Sequence, residues 1–317
     1  ITSPLMFHAN LINRTKNIKF ATGVMCLPQY HPAVQAGQAA MFDHLSNGRF
    51  IMGVGPGGLL SDFELFGVLD KDRMEMMEES LRMILELWGT EPPYKIKGKH
   101  WNIDMKEWTH HDIKLGYVPK PLQQPHPPIA ISAMSPYSGS LKFAGRNGYI
   151  PVSANFIAPW SVATHWPAYC AGAKESNLIP DNSKWRVARS IFVADSDAEA
   201  EEFIMQKSGA FDYYYEYLFS IFDKADFKGP FVINKDDDPS KLTHGMLRDT
   251  CVIKGSPETV SEAILELMNE IGDFGTILYA AHDWTDKGMM IKSMELFANE
   301  VMPRVNRKLN ARQASAG

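Results

Sequence analysis

Residues 18–58, IKFATGVMCLPQYHPAVQAGQAAMFDHLSNGRFIMGVGPGG, constrain the chain more than any other stretch. Two short apolar runs, 18–26 and 49–55, flank a helical segment over 32–45. That segment is too long for a hairpin turn, so the runs read as parallel neighbours joined by a covering helix. Neither run alternates cleanly with polar residues, as expected of strands covered on both faces. The second ends at Gly55-Pro56-Gly57-Gly58, where backbone can come close to a bound group because no side chain intervenes. Ligands of parallel α/β folds lie at the carboxyl ends of strands. Gly55 and Gly57 are therefore candidate ligand-facing positions, although a plain strand-to-loop turn is the simpler reading of the residues alone.

The same alternation continues. Strands are expected near 18–26, 49–55, 128–133, 148–152, 185–194 and 276–280, all parallel and in one domain over 1–317. Helices are expected over 4–14, 32–45, 74–88, 159–175, 257–271 and 286–301. Residues 89–126 and 211–248 read as irregular insertions, the second dense in aromatics, and 304–317 as a frayed basic tail. Ser135-Pro136-Tyr137-Ser138 reads as a helix start, with a hydroxyl cap and proline in the first turn. Its free N–H groups also make it a candidate anion site. His282 is the histidine that the strand pattern delivers to the end of the last strand, either as a site residue or as a histidine bonded to Asp283 or backbone.

Composition narrows the partners. A net charge of −5 on 317 residues gives no reason to expect nucleic acid or an anionic membrane. Cys26, Cys170 and Cys251 have no metal-ligand spacing and cannot all pair, which fits a reducing, cytoplasmic setting. The pair His110-His111 lacks any metal spacing as well, so no metal site is expected. No apolar run reaches the roughly 20 residues of a membrane helix.

ATGVMCLPQYHP, DHLSNGRFIMGVGPGG and DFELFG together resemble the third and fourth β/α units of the bacterial luciferase-like flavin monooxygenases. The resemblance continues in order through PPIAISAMSPYSGSLKFAGRNG, WRVARSIFVAD, IKGSPETVSEAILELMNEIGDFGTILYAAHDW and MELFANEVMPRVN. It implies an α/β fold, a TIM (β/α)₈ barrel of the luciferase-like type, with units three to eight in this chain. The first two units, roughly 60 residues at about 30 per unit, are expected to be missing, so the chain is expected to be N-terminally truncated. The resemblance further implies an FMN-dependent monooxygenase of the limonene and alkanal branch. Reduced FMN would come from a separate flavin reductase, O₂ would be the oxidant, and the substrate would be a small apolar organic molecule. Members are commonly homodimers. The flavin ring would rest against the third strand at Gly23 and Val24, where the family has a non-proline cis peptide. The phosphate would lie at Ser135, Tyr137 and Ser138, and His282 would lie beside flavin or substrate. Two departures are plain: Pro56 stands where members often have a phosphate-binding arginine, and the family's catalytic histidine follows the second strand, which this sequence does not contain. The same fold also carries deazaflavin-dependent reductases and dehydrogenases, and non-catalytic flavin-binding relatives, which remain the alternatives.

Overall fold

A computed structural model describes residues 3–316 of the chain. These form two compact units, one up to Ser132 and one from Ala133.

In the first unit, α1 (Pro4–Ala9) starts at Ser3, whose hydroxyl accepts from the Met6 N–H, and has Pro4 in its first turn. A separate 3₁₀ turn, Ile12–Arg14, follows, so the helix expected over 4–14 is broken. Asn10 and Asn13 favour local turns over a helix interior. The expected strand 18–26 is also two pieces, β1 (Phe20–Ala21) and β2 (Met25–Cys26), both parallel to β3 (Phe50–Gly55). Ala21 pairs with Ile51 and Met25 with Val54, four steps against three. One extra residue therefore bulges at Thr22-Gly23-Val24. Between β2 and β3 lies α2 (Pro32–Leu45), where His31 Nδ1 accepts from the Ala33 N–H as its cap. Its Phe42 packs edge-on against Phe20 and Phe50.

After the short α3 (Leu60–Leu65), α4 (Arg73–Gly89) buries Met77, Leu81, Ile84 and Trp88 as its periodicity requires. It also buries Met76, Met83 and Leu87, a wider face than the expected stripe. Trp88 reaches α2, donating Nε1–H to the Ala36 carbonyl at 3.2 Å. The long segment after α4 holds an antiparallel hairpin, β4 (Lys95–Lys97) and β5 (Asn102–Asp104). Its far end is tied down by Gln123, whose N–H and amide both donate to the buried Asp43 carboxylate, at 2.8 and 2.7 Å. β6 (Ile129–Ala133) then pairs in parallel with β3, Met52 opposite Ile129.

The second unit contains α5 (Gly139–Asn147), β7 (Ile150–Ser153), α6 (Pro159–Ala163) and α7 (His165–Glu175). The helix expected over 159–175 breaks at Thr164. α5 and α7 touch backbone to backbone: a Cβ on Gly145 would lie 2.0 Å from the Tyr169 carbonyl oxygen. β8 (Arg186–Val193) is central and pairs in parallel with β7, with β9 (Val252–Gly255) and with β10 (Thr276–Ala280). β9 was not expected; four residues between two helices leave too short a pattern to read. β8 pairs with β7 as far as Val187 and with β9 from Ser190. The buried Arg189 side chain covers that change of neighbour, its Nη1 donating to the carbonyls of Ala188 and Ala154.

Two further expectations are corrected here. The aromatic stretch after residue 211 is not irregular: α9 (Ala210–Lys224) buries Phe211, Tyr215 and Phe222 and exposes Tyr213 and Tyr217. Its aromatics individually favour strands, and packing on one helical face overrides that preference. The tail is not frayed either. After α8 (Asp197–Ile204), α10 (His244–Cys251), α11 (Pro257–Ile271) and α12 (Lys287–Leu296), a π-turn over Phe297–Val301 leads into α13 (Met302–Ala316). Val301 and Val305 anchor it by packing with Val260 and Ile264 of α11.

Candidate functional site

In the first unit the candidate residues converge on the bulge. Thr22 is buried; its hydroxyl donates to the Gly53 carbonyl at 2.7 Å and its N–H to that of Ile51. The next peptide bond, Gly23–Val24, is cis. A Cβ on Gly23 would meet no atom within 4 Å, so this backbone borders open space. Gly55 and Gly57 behave differently. A Cβ on Gly55 would lie 2.9 Å from Val24 Cγ2, and one on Gly57 2.7 Å from the Phe63 ring. Both glycines are thus accounted for by close protein neighbours, and Gly57 also by its positive φ of 89°. Cys26, at the end of β2, has its thiol pushed up by burial and by Asp62.

In the second unit, Ser135, Pro136 and Tyr137 precede the helix instead of opening it. Tyr137 has φ +52°, a left-handed conformation that a helix cannot begin with, so Ser138 is the cap, accepting from the Leu141 N–H. Two successive residues at the α6–α7 junction hold this loop. Thr164 Oγ1 accepts from the Tyr137 N–H at 2.7 Å. His165 Nε2 lies 3.0 Å from the Ser135 carbonyl, and its Nδ1 lies 2.8 Å from Ser153 Oγ, which also accepts from Trp185 Nε1–H at 2.9 Å. A carbonyl can only accept, so His165 carries its proton on Nε2 and Ser153 donates to Nδ1. Burial lowers the His165 pKa to about 4, so it is a neutral spacer.

A second polar cluster joins Ser190, within β8, to residues just past the carboxyl ends of β7 and β10 and to α9. Ser190 Oγ is 3.0 Å from Asn155 Nδ2, 3.0 Å from the Tyr215 hydroxyl and 2.9 Å from His282 Nε2. Asn155 also bonds the Tyr214 hydroxyl. The His282 ring packs on Tyr214 at 4.2 Å and edge-on to Phe211 at 4.6 Å. Its bond is to Ser190 and not to Asp283 or backbone, and burial lowers its pKa to about 4. Among the described residues no group of three or more His, Cys, Asp or Glu could hold a metal, and no helix is long and apolar enough to cross a membrane.

Residues 2–273 match the model of the luciferase-like monooxygenase family. The chain belongs to that family. As a luciferase-like protein it is a flavin-dependent monooxygenase. It is 32% identical to a 4-hydroxyprotoasukamycin monooxygenase of Streptomyces nodosus subsp. asukaensis, over 100% of this chain and 82% of that one. It is 31% identical to a 2,5-diketocamphane 1,2-monooxygenase of Pseudomonas putida, over 92% and 81%. The structure of the oxygenating constituent of 3,6-diketocamphane monooxygenase from Pseudomonas putida, a type II Baeyer–Villiger enzyme in complex with FMN, superposes with a TM-score of 0.83. The identity there is 30%, over 96% of this chain and 84% of that one.

Within the luciferase-like chain, then, Gly23, Val24, Gly55 and Gly57 gather in one unit, and Ser135, Tyr137, Ser138 and His282 lie in the other. Sequence reasoning did not single out Thr22, Asn155, Thr164, His165 or Ser190, and reached Tyr214 and Tyr215 only as members of an aromatic cluster that lines an apolar pocket, forms a dimer contact or simply packs. Asn155 and Ser190 had a signal: each is polar at the end of, or within, an apolar strand run. His165 had none, because a histidine in the first turn of a helix is ordinarily solvated.

Proposed function

We propose that this monooxygenase takes reduced FMN from a separate flavin reductase and inserts one oxygen atom of O₂ into a small, largely apolar substrate bearing an oxygen function. The observation that carries the reading is the likeness to the FMN-bound diketocamphane oxygenase over nearly the whole chain. The residues present fit FMN. In the first unit the backbone at Gly23 borders open space; in the second, the Ser135–Ser138 loop, leading into the start of α5, offers hydroxyls and helix N–H groups to a phosphate. Bound reduced flavin supplies the redox chemistry. The chain's part is to hold the ring, to fix the phosphate loop through Thr164 and His165, and to orient the substrate near His282. A homodimer fits the apolar outer face of α2, where Val34, Met41 and Leu45 are exposed.

Turnover is tested by supplying reduced FMN from a flavin reductase, with ¹⁸O₂ and 2,5-diketocamphane. The expected product carries one labelled oxygen, with the other in water. Substrate reduction or dehydrogenation by a deazaflavin without O₂ uptake would overturn the reading.

The phosphate assignment has its own test. Charge-assisted hydrogen bonds contribute roughly 1.5–3 kcal/mol each, so Ser135→Ala should weaken FMN about tenfold or more and leave riboflavin almost unchanged. Ser138→Ala should do the same and also lose about 1 kcal/mol of stability, because Ser138 caps α5. Unchanged FMN affinity in both variants would mean that the phosphate lies elsewhere.

A further inference from the structure

The hydrogen bonds around Ser190 can be assigned by counting acceptors. Asn155 Nδ2 donates to Ser190 Oγ, 3.0 Å away, and the Tyr214 hydroxyl lies beside the same amide, 3.1 Å from Nδ2 and 3.2 Å from Oδ1. Tyr215 is fully buried, and the partner recorded for its hydroxyl is Ser190 Oγ. A buried hydroxyl proton needs an acceptor, so Tyr215 donates to Ser190. Both lone pairs of Ser190 are then used, and its one proton must point at the remaining neighbour, His282 Nε2, at 2.9 Å. An Nε2 that accepts leaves the imidazole proton on Nδ1, on the far side of the ring from Ser190. Contacts with Tyr214 and Phe211 hold the ring in that plane.

We propose that the Ser190 cluster locks His282 as a neutral imidazole protonated on Nδ1, so that His282 serves as an uncharged hydrogen-bond donor to an oxygen of the bound substrate and not as a base. Asn155, Ser190, Tyr214 and Tyr215 are its positioning residues. The groups facing the ring agree with a neutral state. Burial raises the Tyr214 and Tyr215 phenols, so neither brings a negative charge. Asp283, next along the chain, favours a charged ring, but burial outweighs it. A neutral donor suits a substrate carbonyl or alcohol, whose oxygen gains negative charge during oxygen transfer without needing a proton beforehand. This role rests on the oxygenase reading above; the tautomer itself does not.

The direct test is a long-range ¹H–¹⁵N spectrum of histidine-labelled protein at pH 7, with His282 assigned from the spectra of His282→Asn and His282→Gln. The expected pattern is a protonated Nδ1 and a bare Nε2. A protonated Nε2, or protons on both nitrogens, would overturn the proposal. Ser190→Ala should move the signal toward the Nε2-protonated form. If that variant does not fold, Tyr215→Phe leaves Ser190 a spare lone pair and should move it the same way. An unchanged signal in whichever folds removes the cluster as the cause. Turnover with reduced FMN and 2,5-diketocamphane gives the second arm. His282→Ala should lose roughly 10²–10³ in kcat, with FMN affinity retained. His282→Asn, whose amide N–H falls near the former Nδ1–H, should stay within about tenfold of wild type. Equal losses in the two variants would reject the donor role. No turnover by wild type on any oxygen-bearing substrate would reject the oxygenase reading, with the spectrum still deciding the tautomer.

Discussion

Gly53→Ala should unfold the first unit or leave it barely stable. A Cβ at this position would lie 1.8 Å from the Thr22 carbonyl oxygen and 2.9 Å from its carbon. These are backbone atoms, and they cannot rotate away as a side chain can. Thr22 is held in place twice, by its hydroxyl on the Gly53 carbonyl and by its N–H on that of Ile51. Relief would therefore break the bulge joining β1 and β2 to β3. Overpacking a core typically costs about 1–3 kcal/mol and occasionally more; with backbone on both sides of the clash, a loss of roughly 3 kcal/mol or more is expected. Gly23→Ala is the matched control, because a Cβ there meets nothing within 4 Å. Its urea midpoint should stay close to wild type while FMN binding weakens, since the methyl enters the space assigned to the ring. A Gly53→Ala protein that unfolds at the wild-type urea concentration would mean that the two strands are not pressed together in this way.

That pair of glycines also shows how far the sequence could be read. The parallel strand–helix–strand order of residues 18–55 was legible, because apolar run lengths and the segment between them permit little else. The break within 18–26 was not. A one-residue bulge changes register, and register depends on β3, which no local pattern reports. Gly55 and Gly57 looked ligand-facing because glycine signals close approach, but the sequence cannot say what approaches; here it is Val24 and Phe63. The start of α5 was placed three residues early because Ser135 and Pro136 carry good capping chemistry. The left-handed backbone of Tyr137 decides otherwise, and the Thr164 hydroxyl accepting its N–H helps to hold it. The Ser190 cluster draws on residues 155, 190, 214, 215 and 282. Contacts of that separation exist only once the strands are aligned. His282 was reachable because it lies just past a strand that could be recognised; the hydroxyl that governs its proton was not.

Acid should destabilise the protein in a window set chiefly by two histidines, with His8 also lowered by burial. His165 and His282 both have pKa values lowered to about 4 by burial, from 6.5 in an exposed state. The folded-state values are depressed because the charged form is disfavoured. Between pH 6.5 and 4 the unfolded chain therefore binds protons that the folded chain does not. The stabilisation is complete above about pH 6.5, falls as the pH drops, and levels off below about 4. A depression of this size corresponds to roughly 3 kcal/mol for each group over the whole window. By pH 5 the two together should remove roughly 4 kcal/mol, a large part of an ordinary folding free energy. The upper part of this window lies above the range in which carboxylates titrate, so it isolates the histidines. Urea midpoints measured at pH 7.5, 6.5, 5.5 and 5 should fall with a slope approaching two protons. In His282→Asn the slope should be about half as steep. Midpoints that stay level from pH 7.5 to 5 would show that neither imidazole is held neutral. The same proton has a local consequence. His165 can take it only on Nδ1, where Ser153 now donates, so Ser153 must turn its hydroxyl away and the tie from Trp185 through His165 to the Ser135 carbonyl is disturbed. FMN affinity of the folded protein should therefore weaken only as the pH falls toward 4, while riboflavin, which has no phosphate for that loop to hold, weakens less.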